Sequence, residues 1–191
     1  MIMINNKAYD KVFEQFPIIT LDGITLRKIS TEEDHKDFFN YIIVPEVAHY
    51  LSSDDIPTDL DSARYELGYW AKLFDYRHSF YWAIIAEGSN KIIGTCGFNN
   101  WNKGQRRCEI SYDLDYKHWG QGIMTKAIAA IVDFAFNAME VERVQATVAL
   151  DNTPSIRVLE KVGFIKESLL KSYGVLQGEV RDFYMYAKLK G

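Results

Sequence analysis

The chain has 191 residues, enough for one well-filled core and short for two. It is 48% hydrophobic and 25% charged, as soluble globular proteins are, with 22 basic against 26 acidic side chains and a formal charge of −4. With no Lys/Arg block there is no charge-driven reason to expect a nucleic-acid partner, and no run of about 18 apolar residues is present to cross a membrane as a helix.

The opening stretch, Met-Ile-Met-Ile-Asn-Asn-Lys, lacks the basic start and long apolar segment of a signal peptide, so the expected location is the cytoplasm. Residues 1–20 read as an N-terminal extension to a single domain over 1–191, with a short helix over 1–16 whose apolar face is Val12, Phe13 and Phe16. Ile24 to Ile29 alternates apolar and polar as a half-buried strand does. Ser30-Thr31-Glu32-Glu33 offers an N-cap and early acids to a helix continuing over Asp34 to Tyr41. A second helix is predicted from Thr58 to Phe74, where Ala63, Leu67, Trp70 and Phe74 recur at helical spacing. Tyr65, Tyr69, Trp70, Phe74, Tyr76, Phe80, Tyr81 and Trp82 read chiefly as core.

Phe80 to Ala86 and Lys91 to Phe98 are dense apolar runs separated by the turn signal Glu87-Gly88-Ser89-Asn90. A polar loop over Asn99 to Arg106 leads to a third strand, Arg107 to Leu114. The pattern then switches: Ile123, Ala127, Ile131, Phe134 and Ala138 share one face of a helix from Gly122 onward. A strand over Arg143 to Leu150, a helix over Thr153 to Val162, and strands at Phe164–Lys171 and Arg181–Leu189 complete the chain. Cys96 and Cys108 lie in strand-like stretches and fit buried thiols in a reducing compartment better than a disulfide. The order implies an α/β (α+β) fold, a central mixed, mostly antiparallel sheet with helices on both faces.

The most informative stretch runs from Leu114 to Thr125, where a strand ends and glycines sit at the start of a long helix. The first turn of a helix carries unpaired N–H groups and the positive end of its dipole, which suits a phosphate. Gly120 and Gly122 would let an anion approach the backbone closely, and Thr125 adds a hydroxyl. A dinucleotide fold would need Gly-x-Gly-x-x-Gly after an early strand, and a P-loop would need Gly-Lys-Ser/Thr. Neither is present. About 30 residues on, Asp151 or Asn152 caps a helix, Pro154 suits its first turn and Gly163 ends it.

Together, Lys117-His118-Trp119-Gly120-Gln121-Gly122 and the run from Asn152 through Ser155 to Glu160-Lys161-Val162-Gly163-Phe164 resemble the GCN5-related N-acetyltransferase superfamily. Glu109-Ile110-Ser111-Tyr112-Asp113-Leu114, the Trp-Gly-x-Gly turn and Arg181-Asp182 resemble the branch of ribosomal-protein N-terminal acetyltransferases. The resemblance covers roughly residues 24 to 189. It departs from the family at Lys117, where Gln or Arg is usual, at Ser111, where the branch has Gly, and at Leu159, where many members place a Tyr as acid for the leaving thiolate.

The resemblance implies direct transfer from acetyl-CoA, used as co-substrate, to an amine, with no metal. It places the pyrophosphate on the amides of Gly120, Gln121, Gly122, Ile123 and Met124, with Thr125 beside them. A backbone N–H near Asp113 or Leu114 would hold the thioester oxygen, and Asn152 the pantetheine arm. Lys161 is placed either at the cofactor's phosphates or in solvent. Glu109 is the candidate base, with Asp113 on the same strand face as the alternative, and Ser155 the candidate proton donor to the leaving sulfur. The expected acceptor is a protein N-terminus, as on a ribosomal protein. A small amine such as an antibiotic or polyamine is the alternative acceptor, and a non-catalytic acyl-CoA-binding module the alternative function. The acceptor cleft should lie between Glu46–Asp55 and the Tyr173–Gly178 loop, and the protein should be a monomer or homodimer. His118 reads as a packing or surface residue; His35, His49 and His78 lack metal-ligand spacing.

Overall fold

The computed structural model describes residues 11–191. Its spine is the apolar run predicted at 80–86. There β3 (Tyr81–Ala86) sends Trp82 and Ile84 into one apolar cluster and Tyr81, Ala83 and Ile85 into another. A strand covered on both faces is apolar at every position, which is why no alternation is visible in it. Around it pair β1 (Ile19–Leu21), β2 (Ile24–Lys28), β4 (Ile92–Asn102), β5 (Arg107–Leu114), β6 (Arg143–Ala149), β7 (Ile165–Leu176) and β8 (Glu179–Leu189). The sheet order is β1-β2-β3-β4-β5-β6-β8-β7.

Helices α1 (Thr31–Ile42), α2 (Pro45–Ala48) and α3 (Leu60–Asp75) cover one face, through Phe38, Ile42, Val47, Ala63 and Leu67. Helices α4 (Ile123–Asn137) and α5 (Thr153–Val162) cover the other. The mixed, mostly antiparallel sheet with helices on both faces is as expected.

Several details differ. Of the predicted helix over 1–16, residues 1–10 lie outside the described residues; Phe13 is buried and stacks on Phe80 with ring centroids 4.7 Å apart. The short elements β1 and α2 were not anticipated. Helix α3 starts at Leu60 because Asp59 and Ser62 form a capping box, with Ser62 N–H donating to Asp59 Oδ1 at 2.8 Å. Strand β4 runs on to Asn102 through a bulge after Asn99, into the stretch expected as a loop. The buried residues of α4 are Met124, Ala127, Ile128, Ile131, Val132, Ala135 and Phe136, a stripe rotated from the expected one; Phe134 sits at its margin against Phe80 and Trp82. Tyr65, Tyr69 and Tyr76 are exposed rather than core, because they fall on the outer side of α3 and its C-terminus.

One irregularity positions the site. Strands β5 and β6 form the single parallel pairing described, and it spans only Arg107–Glu109 against Arg143–Gln145. Beyond it β5 stays paired with β4 as far as Leu114, and β6 stays paired with β8 as far as Ala149. Each strand follows its outer partner, the facing edges part, and the sheet opens as a wedge towards both C-terminal ends.

Candidate active site

Both strands of the wedge lead directly into helix N-termini. After β5 a short turn carries Gly120 and Gly122 at φ 75° and 76°, left-handed conformations that favour glycine, and a Cβ on either would meet no protein atom within 4 Å. The turn is held by Asp115, which accepts the Lys117 N–H at 3.1 Å, and by Trp119 Nε1, which donates to Leu114 O at 2.9 Å. The first helical bond of α4 runs from Lys126 N to Gly122 O, so the amides of Ile123, Met124 and Thr125 precede the ladder.

A cavity of about 510 Å³ occupies the wedge. Asp113, Leu114, Gly120, Gly122, Ile123, Met124, Thr125, Asn152 and Ser155, all singled out in the sequence, line it. Gln121 does not: it is exposed, and its side-chain amide donates to Lys117 O at 3.1 Å. Arg157 joins Lys161 on the wall one helical turn away, a pair legible in the i, i+4 spacing but overlooked. Two cations, unladdered amides and open space over two glycines fit a ligand carrying phosphates.

On the α5 side the cap is Asn152, whose Oδ1 accepts the Ser155 N–H at 3.1 Å. Ser155 is therefore not spent on capping. Its Oγ lies 2.7 Å from the hydroxyl of Tyr112, a residue that sequence reading did not single out as functional. The signal was available: alternation along β5 puts Tyr112 with Ile110 and Leu114 on the face turned to α4 and α5. Leu159 is fully buried in the core below, so the acid that many family members place there has no counterpart at that position.

Glu109, Ser111 and Asp113 point to the opposite face. Asp113 is held by Tyr41, whose hydroxyl donates to Oδ1 at 2.6 Å, and by Thr95, whose hydroxyl donates to Oδ2 at 2.5 Å and whose N–H donates to Oδ1 at 3.1 Å. Burial outweighs these bonds and pushes its carboxyl up to about 6. Ser111 bonds the Tyr81 hydroxyl, which also reaches Asn99. Glu109 lies outside the first cavity. It lines a second, of about 720 Å³, with Asn100, Asn102, Arg107, Gln145 and Tyr173. Thr147 Oγ1 donates to Glu109 Oε1 at 3.0 Å. At about 3.3 Å per residue, Glu109 is roughly 10 Å along β5 from Tyr112.

The predicted cleft elements do meet. The β7–β8 turn, Gln177-Gly178, has φ of 51° and 77°, and Gln177 Nε2 donates to Ala48 O at 2.9 Å and to Leu51 O at 3.1 Å. This braces the segment whose Val47, Tyr50 and Leu51 roof the first cavity. His118 also lines that cavity, its Nδ1 3.7 Å from Asp115 Oδ2. Cys96 and Cys108 are buried free thiols, and burial pushes Cys108 up to about 12. Among the described residues no group of three or more His, Cys, Asp or Glu could hold a metal ion, and no helix is long and apolar enough to cross a membrane.

Comparison with known proteins matches residues 24–165 to the acetyltransferase (GNAT) domain model. The chain is 35% identical over 169 residues to the uncharacterized N-acetyltransferase p20 of Bacillus licheniformis, covering 88% of this chain and 94% of that one. It is 28% identical over 110 residues to the ribosomal protein uS5-alanine N-acetyltransferase of Escherichia coli, covering 57% of each. Among solved structures, RimL, a ribosomal L7/L12 alpha-N-protein acetyltransferase in complex with coenzyme A, superposes with a TM-score of 0.82 at 21% identity, covering 91% of this chain and 98% of that one.

Proposed function

The chain belongs to the GNAT acetyltransferase family and is an N-acetyltransferase, and from that premise we propose that its acceptor is the N-terminal α-amine of a protein, such as a ribosomal protein. The observation that carries this reading is that one strand, β5, serves two cavities: its C-terminal end leads into the one lined by the glycine turn and Ser155, and Glu109 lines the other. Acetyl-CoA, bound in the wedge, supplies the acetyl thioester. The amides of Gly120, Gly122, Ile123 and Met124, with Arg157 and Lys161, hold its phosphates. Asn152 keeps its amide NH₂ for the pantetheine arm, since its oxygen caps α5.

Asp115 N–H donates to Ile93 O on β4, so alternation turns the Leu114 amide the other way, towards the wedge. There it meets the oxygen on which charge develops, where stabilisation counts most. Glu109, acting through water, takes the proton of the amine. Its cavity is open to an acceptor, whereas both oxygens of Asp113 are occupied by Tyr41 and Thr95. Ser155 donates to the departing sulfur. A chain-terminal amine, with a pKa of about 7.7–8.0, is neutral roughly a tenth of the time at pH 7, while lysine at about 10.4 almost never is. A terminal amine therefore needs less help from a base than lysine does. The acceptor specificity of the uS5-alanine relative is in keeping with this reading.

The test is mass spectrometry of peptides with free Ala, Ser or Met N-termini, alongside blocked peptides with one internal lysine, incubated with acetyl-CoA and the protein. Acetylation is expected on free N-termini only, and Glu109→Gln should slow it about 100-fold with acetyl-CoA affinity unchanged. Acetylation of small amines in place of peptides would overturn the acceptor, and an unchanged rate in Glu109→Gln would remove Glu109 as base. Binding of acetyl-CoA with no acetylation of any amine would leave a binding module.

A further inference from the structure

A serine hydroxyl has one hydrogen and two lone pairs, so what it can donate depends on what already donates to it. Ser155 Oγ has one described partner, the Tyr112 hydroxyl at 2.7 Å, and both residues line the wedge cavity. If Ser155 donated to Tyr112, the phenolic hydrogen would have to seek Ser155 O, which is 3.4 Å away, beyond a good bond. The phenol is also the stronger acid of the two hydroxyls and hence the better donor. We propose that Tyr112 is a positioning residue: it donates to Ser155 Oγ and thereby leaves the only hydrogen of Ser155 aimed into the cavity, at the sulfur of the leaving thiolate. This rests on the assignment of Ser155 as donor to that sulfur.

Burial holds Tyr112 protonated across the working pH range, so the direction of the bond does not reverse. In the step served, the amine nitrogen bonds to the acetyl carbon, the carbon–sulfur bond breaks and its electron pair stays on sulfur. The surplus proton of the amine goes to Glu109 through water. The sulfur, with a pKa near the thiol value of about 8.5, needs a hydrogen bond more than a full proton, and a serine oriented by a phenol supplies it. This also accounts for the buried Leu159: the tyrosine of this site stands on β5 and works through Ser155.

The experiment is a double-mutant cycle with Tyr112→Phe, Ser155→Ala and the double variant. Steady-state kinetics is paired with titration of the thiol of bound coenzyme A, followed by its thiolate ultraviolet absorbance. Tyr112→Phe should lower kcat about tenfold with the KM for acetyl-CoA unchanged. The double variant should be no slower than Ser155→Ala alone. The bound thiol should titrate at higher pH in each single variant and no higher in the double. An unchanged kcat and thiol titration in Tyr112→Phe, with Ser155→Ala impaired in both, would overturn the proposal and leave the Ser155 assignment standing. Independent, multiplying effects would likewise overturn it. No effect of Ser155→Ala on either readout would instead remove the Ser155 assignment, and the proposal with it.

Discussion

Asp113 shows how the face a residue occupies can be legible in the sequence while its partners are not. Alternation puts it on the Glu109 face, and the structure agrees. What alternation does not reveal is that Tyr41, 72 residues earlier in the chain, closes over it and donates a hydrogen bond. Burial raises its carboxyl from 3.8 to about 6, so between those values the folded chain binds more protons than the unfolded one. The sign follows: the contribution of Asp113 to stability is fully present below pH 3.8 and is lost as pH rises through about 6. Denaturation of Asp113→Asn beside the parent between pH 3.5 and 7.5 should show the parent losing on the order of 2 kcal/mol relative to the variant over that range. A pH-independent difference would mean that Asp113 titrates normally.

At the scale of elements, the glycine turn and α4 act as one unit. Gly120 and Gly122 are left-handed and face open space, so a side chain there would take room from a ligand rather than from the protein. Gly122→Val should raise the Kd for acetyl-CoA at least tenfold, measured by calorimetry, alongside backbone strain of roughly 1–2 kcal/mol. Gly23→Val is the matched control. Its φ is +80° in the β1–β2 turn, also with nothing within 4 Å, so it should carry the strain and keep the affinity. Equal affinities in the two variants would move the phosphates away from α4. This unit was legible because caps and glycines are local signals. The face of Tyr112 was legible in the same way, but its bond to Ser155 was not, since that partner lies 43 residues away.

For the whole molecule, Phe13 of the N-terminal segment belongs to the core. Phe13 is 7% exposed and packs among Phe74, Phe80 and Trp101 on the α4 face of the sheet. Phe13→Ala should cost about 3 kcal/mol in chemical denaturation, as deletion of a buried aromatic does. A loss under about 1 kcal/mol would show that the segment rests on the domain without holding it. The wedge is likewise a property of the whole: it arises because β4 and β8 each keep a full pairing with their neighbour while β5 and β6 meet over three residues.

By itself the sequence determined the order of the longer elements, the apolar run of β3, the glycine turn and the capped start of α5. All of these depend on periodicity or on neighbours within a few positions, where backbone geometry leaves little choice. Only the tertiary structure decided that β5 and β6 diverge, that Glu109 and the glycine turn open onto separate cavities, and that Tyr112 reaches Ser155. Those facts depend on which distant segments pack together, and no local spacing encodes that.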